Sequence, residues 1–137
     1  MTRALLAPVS PGELLDKLTI LDIKLARITN PGQLANVERE HQALSERWQA
    51  FVTAAEAPAF DRDQLQQLQQ KLGAINQALW DVEDDLRQCE RQQSFDHRFI
   101  ELARSVYRHN DQRAEVKKQI NQLLGSALVE EKSYAQY

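Results

Sequence analysis

Arginine, lysine and asparagine gathered around a single carboxylate make a site that grips a small anion, and this chain carries the residues for one. Lys17, Lys24, Asn76, Glu83, Arg104, Tyr107, Asn110, Arg113 and Lys117 converge if the last two long segments fold into a hairpin and the first helix docks on it. Folding about residues 93–94 sets Glu83 level with Arg104, and Trp80 level with Arg108. The same register puts the polar stretch Asn110 to Arg113 opposite Gly73, Ala74 and Asn76. Guanidinium forks and ammonium groups bind carboxylate or phosphate oxygens through charge-assisted hydrogen bonds. The same side chains equally suit a buried salt-bridge network that holds helices in register.

Other constellations are thinner. Glu38-x-x-His41 is half of the carboxylate-bridged di-iron pattern of helical bundles, but that pattern needs a second pair and two further glutamates. No other Glu-x-x-His occurs, so no metal or other cofactor is expected. Neither a Ser/His/Asp or Cys/His arrangement nor a glycine-rich phosphate loop is present, and no catalytic residue is assigned. His41 falls at an inward position, where a neighbour would satisfy its ring, and His97 in the first turn of the last helix reads as solvated.

The elements that must position these residues follow from caps and periodicity. Ser10-Pro11-Gly12-Glu13 is a helix start, with Ser as N-cap, Pro at the first position and Glu placed for a capping box. The spacing predicts a helix over 11–29, its face formed by Leu14, Leu18, Leu21, Leu25 and Ile28. Asn30-Pro31-Gly32-Gln33 repeats the signal at once, so a second helix over 31–54 turns back antiparallel to the first. Its inward residues are Leu34, Val37, His41, Leu44, Trp48 and Phe51.

After a loop at 55–61, Asp61 or Asp63 caps a third helix over 62–92. Its stripe Leu65, Leu68, Leu72, Ile75, Leu79, Val82, Leu86 and Cys89 alternates three and four like a coiled-coil seam. Gly73 inside it predicts a close backbone approach. Ser94 then caps a fourth helix over 95–124, which Gly125 ends. The tail 125–137 either frays or lies as a clasp across the bundle.

The two long helices outrun the first two by about three turns. Part of their apolar stripe is therefore uncovered, and a symmetric second copy would cover it. The fold expected is all-α: two antiparallel helical hairpins forming an elongated four-helix, coiled-coil-like bundle in one domain over 1–137.

Composition agrees with that class. Four glycines, four prolines and abundant Leu, Ala, Gln, Glu and Arg favour helix. A net charge of −3 supplies no field for nucleic acid. Charge is local instead: five acids and two bases over 81–91, then six bases and three acids over 98–118, so the arms should pair with each other. A lone cysteine, Cys89, cannot close an intramolecular disulfide and fits a reducing compartment. No apolar run is long enough to span a bilayer, and the apolar lead-in over 1–9 is too short for a signal peptide. A cytoplasmic location is expected.

Several stretches together resemble a family of small uncharacterised all-helical bacterial proteins. They are Ser10-Pro11-Gly12-Glu13-Leu14-x-Asp16-Lys17-Leu18, Leu79-Trp80-Asp81-x-Glu83-Asp84, Phe99-Ile100-x-Leu102-Ala103-Arg104-Ser105-Val106-Tyr107-x-x-Asn110-Asp111-x-Arg113, and Glu130-Glu131-Lys132-Ser133-Tyr134. Modules of that family stand alone or are attached to repeat and glycosyltransferase-like proteins. The resemblance implies a loose link to surface-polysaccharide genes and brings no activity with it. The function expected is a non-catalytic, homodimeric interaction module. The alternative is a small anionic-ligand-binding protein or enzyme that uses the polar cluster.

Overall fold

A computed structural model describes residues 3–137; Met1 and Thr2 of the apolar lead-in lie outside the described residues. Four helices follow one another: α1 (Pro11–Arg27), α2 (Pro31–Val52), α3 (Arg62–Gln92) and α4 (His97–Leu123). The chain is all-α, and no helix is long and apolar enough to cross a membrane.

Each start has its cap. The Ser10 hydroxyl accepts from the Glu13 N–H at 3.2 Å, and Asn30 Oδ1 accepts from the Gln33 N–H at 3.0 Å, each ahead of a proline that has no N–H to satisfy. Asp61, not Asp63, caps α3. Asp96, not Ser94, caps α4 by accepting from the Arg98 and Phe99 N–H groups, so α4 starts two residues later than expected. A carboxylate at that end meets the helix dipole as well as the free N–H groups, which a serine hydroxyl does not. Ser94 instead belongs to the end of α3: its N–H closes back on the Cys89 carbonyl at 2.9 Å, with Gln93 in the left-handed conformation between them. Gly125 does the same for α4 at φ +67°, with the Ser126 N–H returning to the Asn121 carbonyl at 2.9 Å. Helices α1 and α2 end at Arg27 and Val52, two residues short of expectation.

Helix α1 is the hub. It packs on α2, α3 and α4, whereas the backbone of α2 comes close to α1 alone, and α3 and α4 form the long hairpin. A helix surrounded on three sides must be apolar or hydrogen-bonded nearly all round, and α1 is. Leu14, Leu15, Leu18, Leu21 and Ile23 are buried together with Asp16 and Thr19. The core joins Leu15 and Leu18 to Leu65, Leu68 and Leu72 of α3, to Val116, Ile120 and Leu124 at the end of α4, and to Trp48 of α2.

Helix α2, whose backbone approaches α1 alone, buries only Val37 and Trp48. Phe51, expected inward, is exposed, and His41 sits at the rim, where its Nε2 meets Asp22 Oδ1 at 2.8 Å. One contact face cannot cover the width of stripe that a helix within a regular bundle would cover.

The hairpin runs past the end of α1. At 31 residues α3 is about 46 Å long, against about 25 Å for the 17 residues of α1. Beyond the level of Arg27, which pairs with Asp81 at 2.9 Å, Leu86, Phe99 and Leu102 are only half-buried. Ile100 and Phe95 are 51% and 48% exposed. The mutual pairing expected of the charged arms is sparse: Arg98 and Asp85 at 3.7 Å are the one ion pair between α3 and α4 among the described residues. Glu83 pairs with Arg87 and Arg104 with Glu101, each within its own helix. Near neighbours on one helix are held in place at little entropic cost, so they win over partners across a groove.

Close backbone approach occurs at a different glycine from the one expected. A Cβ at Gly73 would meet nothing within 4 Å, while one at Gly12 would stand 2.6 Å from the Lys117 carbonyl oxygen and 2.9 Å from Asn121 Oδ1. The first turn of α1 therefore touches the backbone of α4 directly. Gly12→Ala should destabilise by about 1–3 kcal/mol because backbone has to yield. Gly73→Ala should be neutral or stabilise by up to ~1 kcal/mol through helix propensity alone. Urea denaturation of the two variants beside the parent measures both, and equal responses would contradict this placement of the two glycines.

Candidate functional site

The polar residues of the opening helix meet those of α3 and α4 in two connected groups. In the first, Asn76 is buried one turn beyond Leu72 on α3, beside Ile75 of the stripe. Its Nδ2 donates to Asp16 Oδ1 and to Thr19 Oγ1, both at 2.8 Å, while its Oδ1 accepts from Arg113 Nη1 at 3.2 Å. Arg113 Nη2 also donates to Asn110 Oδ1 at 2.9 Å, and the Thr19 hydroxyl donates to the Asp16 carbonyl at 2.8 Å. One amide thus ties α1 to α3 and, through Arg113, to α4.

The second group centres on Lys117, whose side chain is 11% exposed. Its Nζ donates to Glu13 Oε2 at 2.6 Å and lies 2.9 Å from Glu130 Oε2 and 3.9 Å from Asp16 Oδ2. Glu13 was expected to close a capping box on Ser10. Its carboxylate is turned to Lys117 instead, with Lys17 at 3.9 Å, because a buried ammonium needs a charged partner more than an N–H at a helix end does. One turn further along α4, Asn121 Oδ1 accepts from the Gly12 N–H at 2.7 Å. That bond satisfies a donor in the first turn of α1 for which the helix has no partner. Among the described residues no buried side-chain nitrogen or oxygen lacks a hydrogen-bond partner.

The C-terminal segment completes this group. After Gly125 the chain runs back along α4 as a clasp rather than a frayed end. Glu130 reaches Lys117, Lys132 Nζ donates to the Asn110 carbonyl at 3.4 Å, and the Tyr137 hydroxyl donates to Asp111 Oδ2 at 2.7 Å. The Tyr137 ring stands edge-on to Tyr107 with centroids 5.0 Å apart. Between segment and helix lies a cleft of about 190 Å³, lined in part by Arg113, Lys117, Asn121 and Lys132.

Of the nine residues picked from the sequence, the structure brings together Asn76, Asn110, Arg113 and Lys117, with Lys17 at the edge. Lys24, Glu83, Arg104 and Tyr107 stand apart. Lys24 makes no ion pair, Glu83 and Arg104 are held within their own helices, and Tyr107 packs against the tail. Ser10, Glu13, Asp16, Thr19, Asn121 and Glu130 were missing from that set. Glu13 was legible only as a cap, and Glu130 only as part of a tail whose path had no signal in the sequence.

The electrostatics are those of a satisfied internal network. Burial works against the charge on Glu13, but the hydrogen bond and charge of Lys117, helped by Lys17 and Arg113, outweigh it and hold the carboxyl below its ordinary value. Burial likewise opposes the charge on Lys117, yet its bonds to Glu13 and Glu130 and the nearby Asp16 raise its pKa. A lowered carboxyl contributes stability that is present above its unfolded pKa and is lost as pH falls through the folded value. A raised ammonium contributes stability that is present below its unfolded pKa and is lost as pH rises through the folded value. Melting temperature should therefore stay level through neutral pH and fall at both the carboxylate and the lysine extremes. Lys117→Met should cost about 3 kcal/mol, since it leaves the Glu13 and Asp16 charges without their cation, and should flatten the alkaline limb. Circular dichroism melts across pH check both.

No protein-family model, curated protein or solved structure matches this chain.

Proposed function

We propose that this chain is a non-catalytic helical interaction module that works as a cytoplasmic homodimer, paired through the free end of the α3–α4 hairpin. The observation that carries the reading is the apolar surface beyond the reach of α1. There Leu86, Phe99 and Leu102 are half-covered and Phe95 and Ile100 are about half exposed, on a two-helix arm too thin to bury its own stripe. A second copy is favoured as occupant by charge. Among the described residues Asp84 and Glu90 on α3 and Arg108 on α4 make no ion pair, so one arm offers both signs. A two-fold axis would set the acids of one copy against the bases of the other.

The polar network supports a structural role for the residues it contains, because among the described residues every fully buried side-chain nitrogen and oxygen there is already answered. The free, buried Cys89 fits a reducing compartment. The stretches behind the bacterial family resemblance fall partly on the network and partly on this arm, in keeping with a module built for assembly.

Native mass spectrometry and light scattering of the purified chain should give a dimer at micromolar concentration. Ile100→Glu should yield a monomer with unchanged helix content and melting behaviour, because Ile100 lies outside the intramolecular core. A parent protein that is monomeric under the same conditions would sink the reading.

A further inference from the structure

We propose that the cleft between α4 and the C-terminal segment is a binding site for a small phosphate monoester, with Glu130 as the internal group that a ligand displaces. The site lies between α4 and the C-terminal segment and borders the junction of α1, α3 and α4 through Arg113, Lys117 and Asn121; it does not depend on dimerisation.

Hydrogen-bond polarity is the first ground. Two asparagines line the cleft, and in both the oxygen is already engaged: Asn110 Oδ1 accepts from Arg113, and Asn121 Oδ1 accepts from the Gly12 N–H. Neither Nδ2 makes a hydrogen bond within the described chain, although every buried side-chain nitrogen there is satisfied. Both amide NH₂ groups are therefore left as unbonded donors on residues that line the cleft, Asn110 partly buried and Asn121 buried. Their orientation is set by the donors behind them, so neither amide can turn an oxygen outward without breaking a bond.

Charge is the second. Arg113 spends its bonds on two neutral amides and has no carboxylate within 4 Å, and Lys118 makes neither a hydrogen bond nor an ion pair. Lys132 touches only a carbonyl oxygen and, at 5.8 Å, the ring of Tyr134. The single carboxylate lining this cleft is Glu130, which is more than half exposed and sits 2.9 Å from Lys117. It occupies the place an external anion would take, and Lys117 keeps Glu13 when it leaves.

Size and valence identify the class. A volume of about 190 Å³ equals roughly six water molecules, which suits a phosphate group carrying a few carbons. A carboxylate has two oxygens to offer, whereas a phosphate monoester brings three terminal oxygens and close to two charges to a site with at least five donor groups.

The test is a titration of the full chain with glycerol 3-phosphate, followed by ¹H–¹⁵N spectra, with inorganic phosphate and succinate in parallel. Saturable shifts of the Asn110 and Asn121 side-chain amide signals are expected with glycerol 3-phosphate and inorganic phosphate, and weaker ones with succinate. Lys118→Gln should weaken glycerol 3-phosphate roughly tenfold, the loss of one charge-assisted bond. Glu130→Gln should tighten it severalfold, while Glu131→Gln, one residue outside this cleft, should leave it unchanged. Shifts that do not saturate, or that are the same in Lys118→Gln, would overturn the site. Succinate binding as tightly as glycerol 3-phosphate would overturn the ligand class, and equal effects of the two glutamate variants would overturn the role of Glu130.

Discussion

An ammonium group leaves water only when negative charge goes with it, and the burial of Lys117 organises much of this fold. Glu13 and Asp16 approach it from α1 and Glu130 from the C-terminal segment. Segments far apart in the sequence are thereby required to meet at one nitrogen. Apolar packing alone would tolerate several rotations of α1 in the groove of the hairpin, because leucines on one face can exchange holes. The ammonium and its three carboxylates allow one rotation, and Asn76 with its three partners repeats the requirement about one turn along.

Gly12 makes that geometry sterically possible. With any side chain at this position the first turn of α1 could not lie against the Lys117 carbonyl, and the Gly12 N–H could not reach Asn121. The glycine, the lysine and the asparagine thus act as a unit. The first permits the approach, the second supplies the charge that must be answered, and the third satisfies an N–H that helix geometry leaves open. The free end of the hairpin has no such device, and its cover is correspondingly incomplete.

The four helices and their order were legible in the sequence because caps and periodicity are local. Ser10-Pro11, Asn30-Pro31 and Asp61 announce their helices within four residues. The preference for Asp96 over Ser94 was not legible, since both are competent caps and the choice depends on how the end of α3 closes. The site was half legible. Asn110 and Arg113 interrupt the apolar stripe of α4, and an interruption inside a seam shows up as a break in period, whereas Asn76 and Lys117 follow from hairpin register. Glu83 and Arg104 were set opposite by hairpin register, but register does not decide between a partner across the groove and one on the next turn. Glu13 is legible as a capping residue and Asp16 only as a charge beside the apolar face, because nothing in a single sequence says that a helix is surrounded on three sides. Glycine was read with the wrong weighting: Gly73 drew attention as a flaw in a good helix, while Gly12 passed as part of a start signal.

The contacts that lock α1 onto α4 join residues 104 and 109 positions apart. Each hairpin closes locally, but the two can dock fully only after α4 has been made. On a ribosome adding about 5–20 residues per second, α1 waits several seconds or more for α4 to emerge. Until α3 follows, Leu14, Leu15, Leu18, Leu21 and Ile23 have only α2 against them, and α2 covers one side. The nascent chain thus presents an apolar helix with buried-type acids to whatever lies at the exit tunnel.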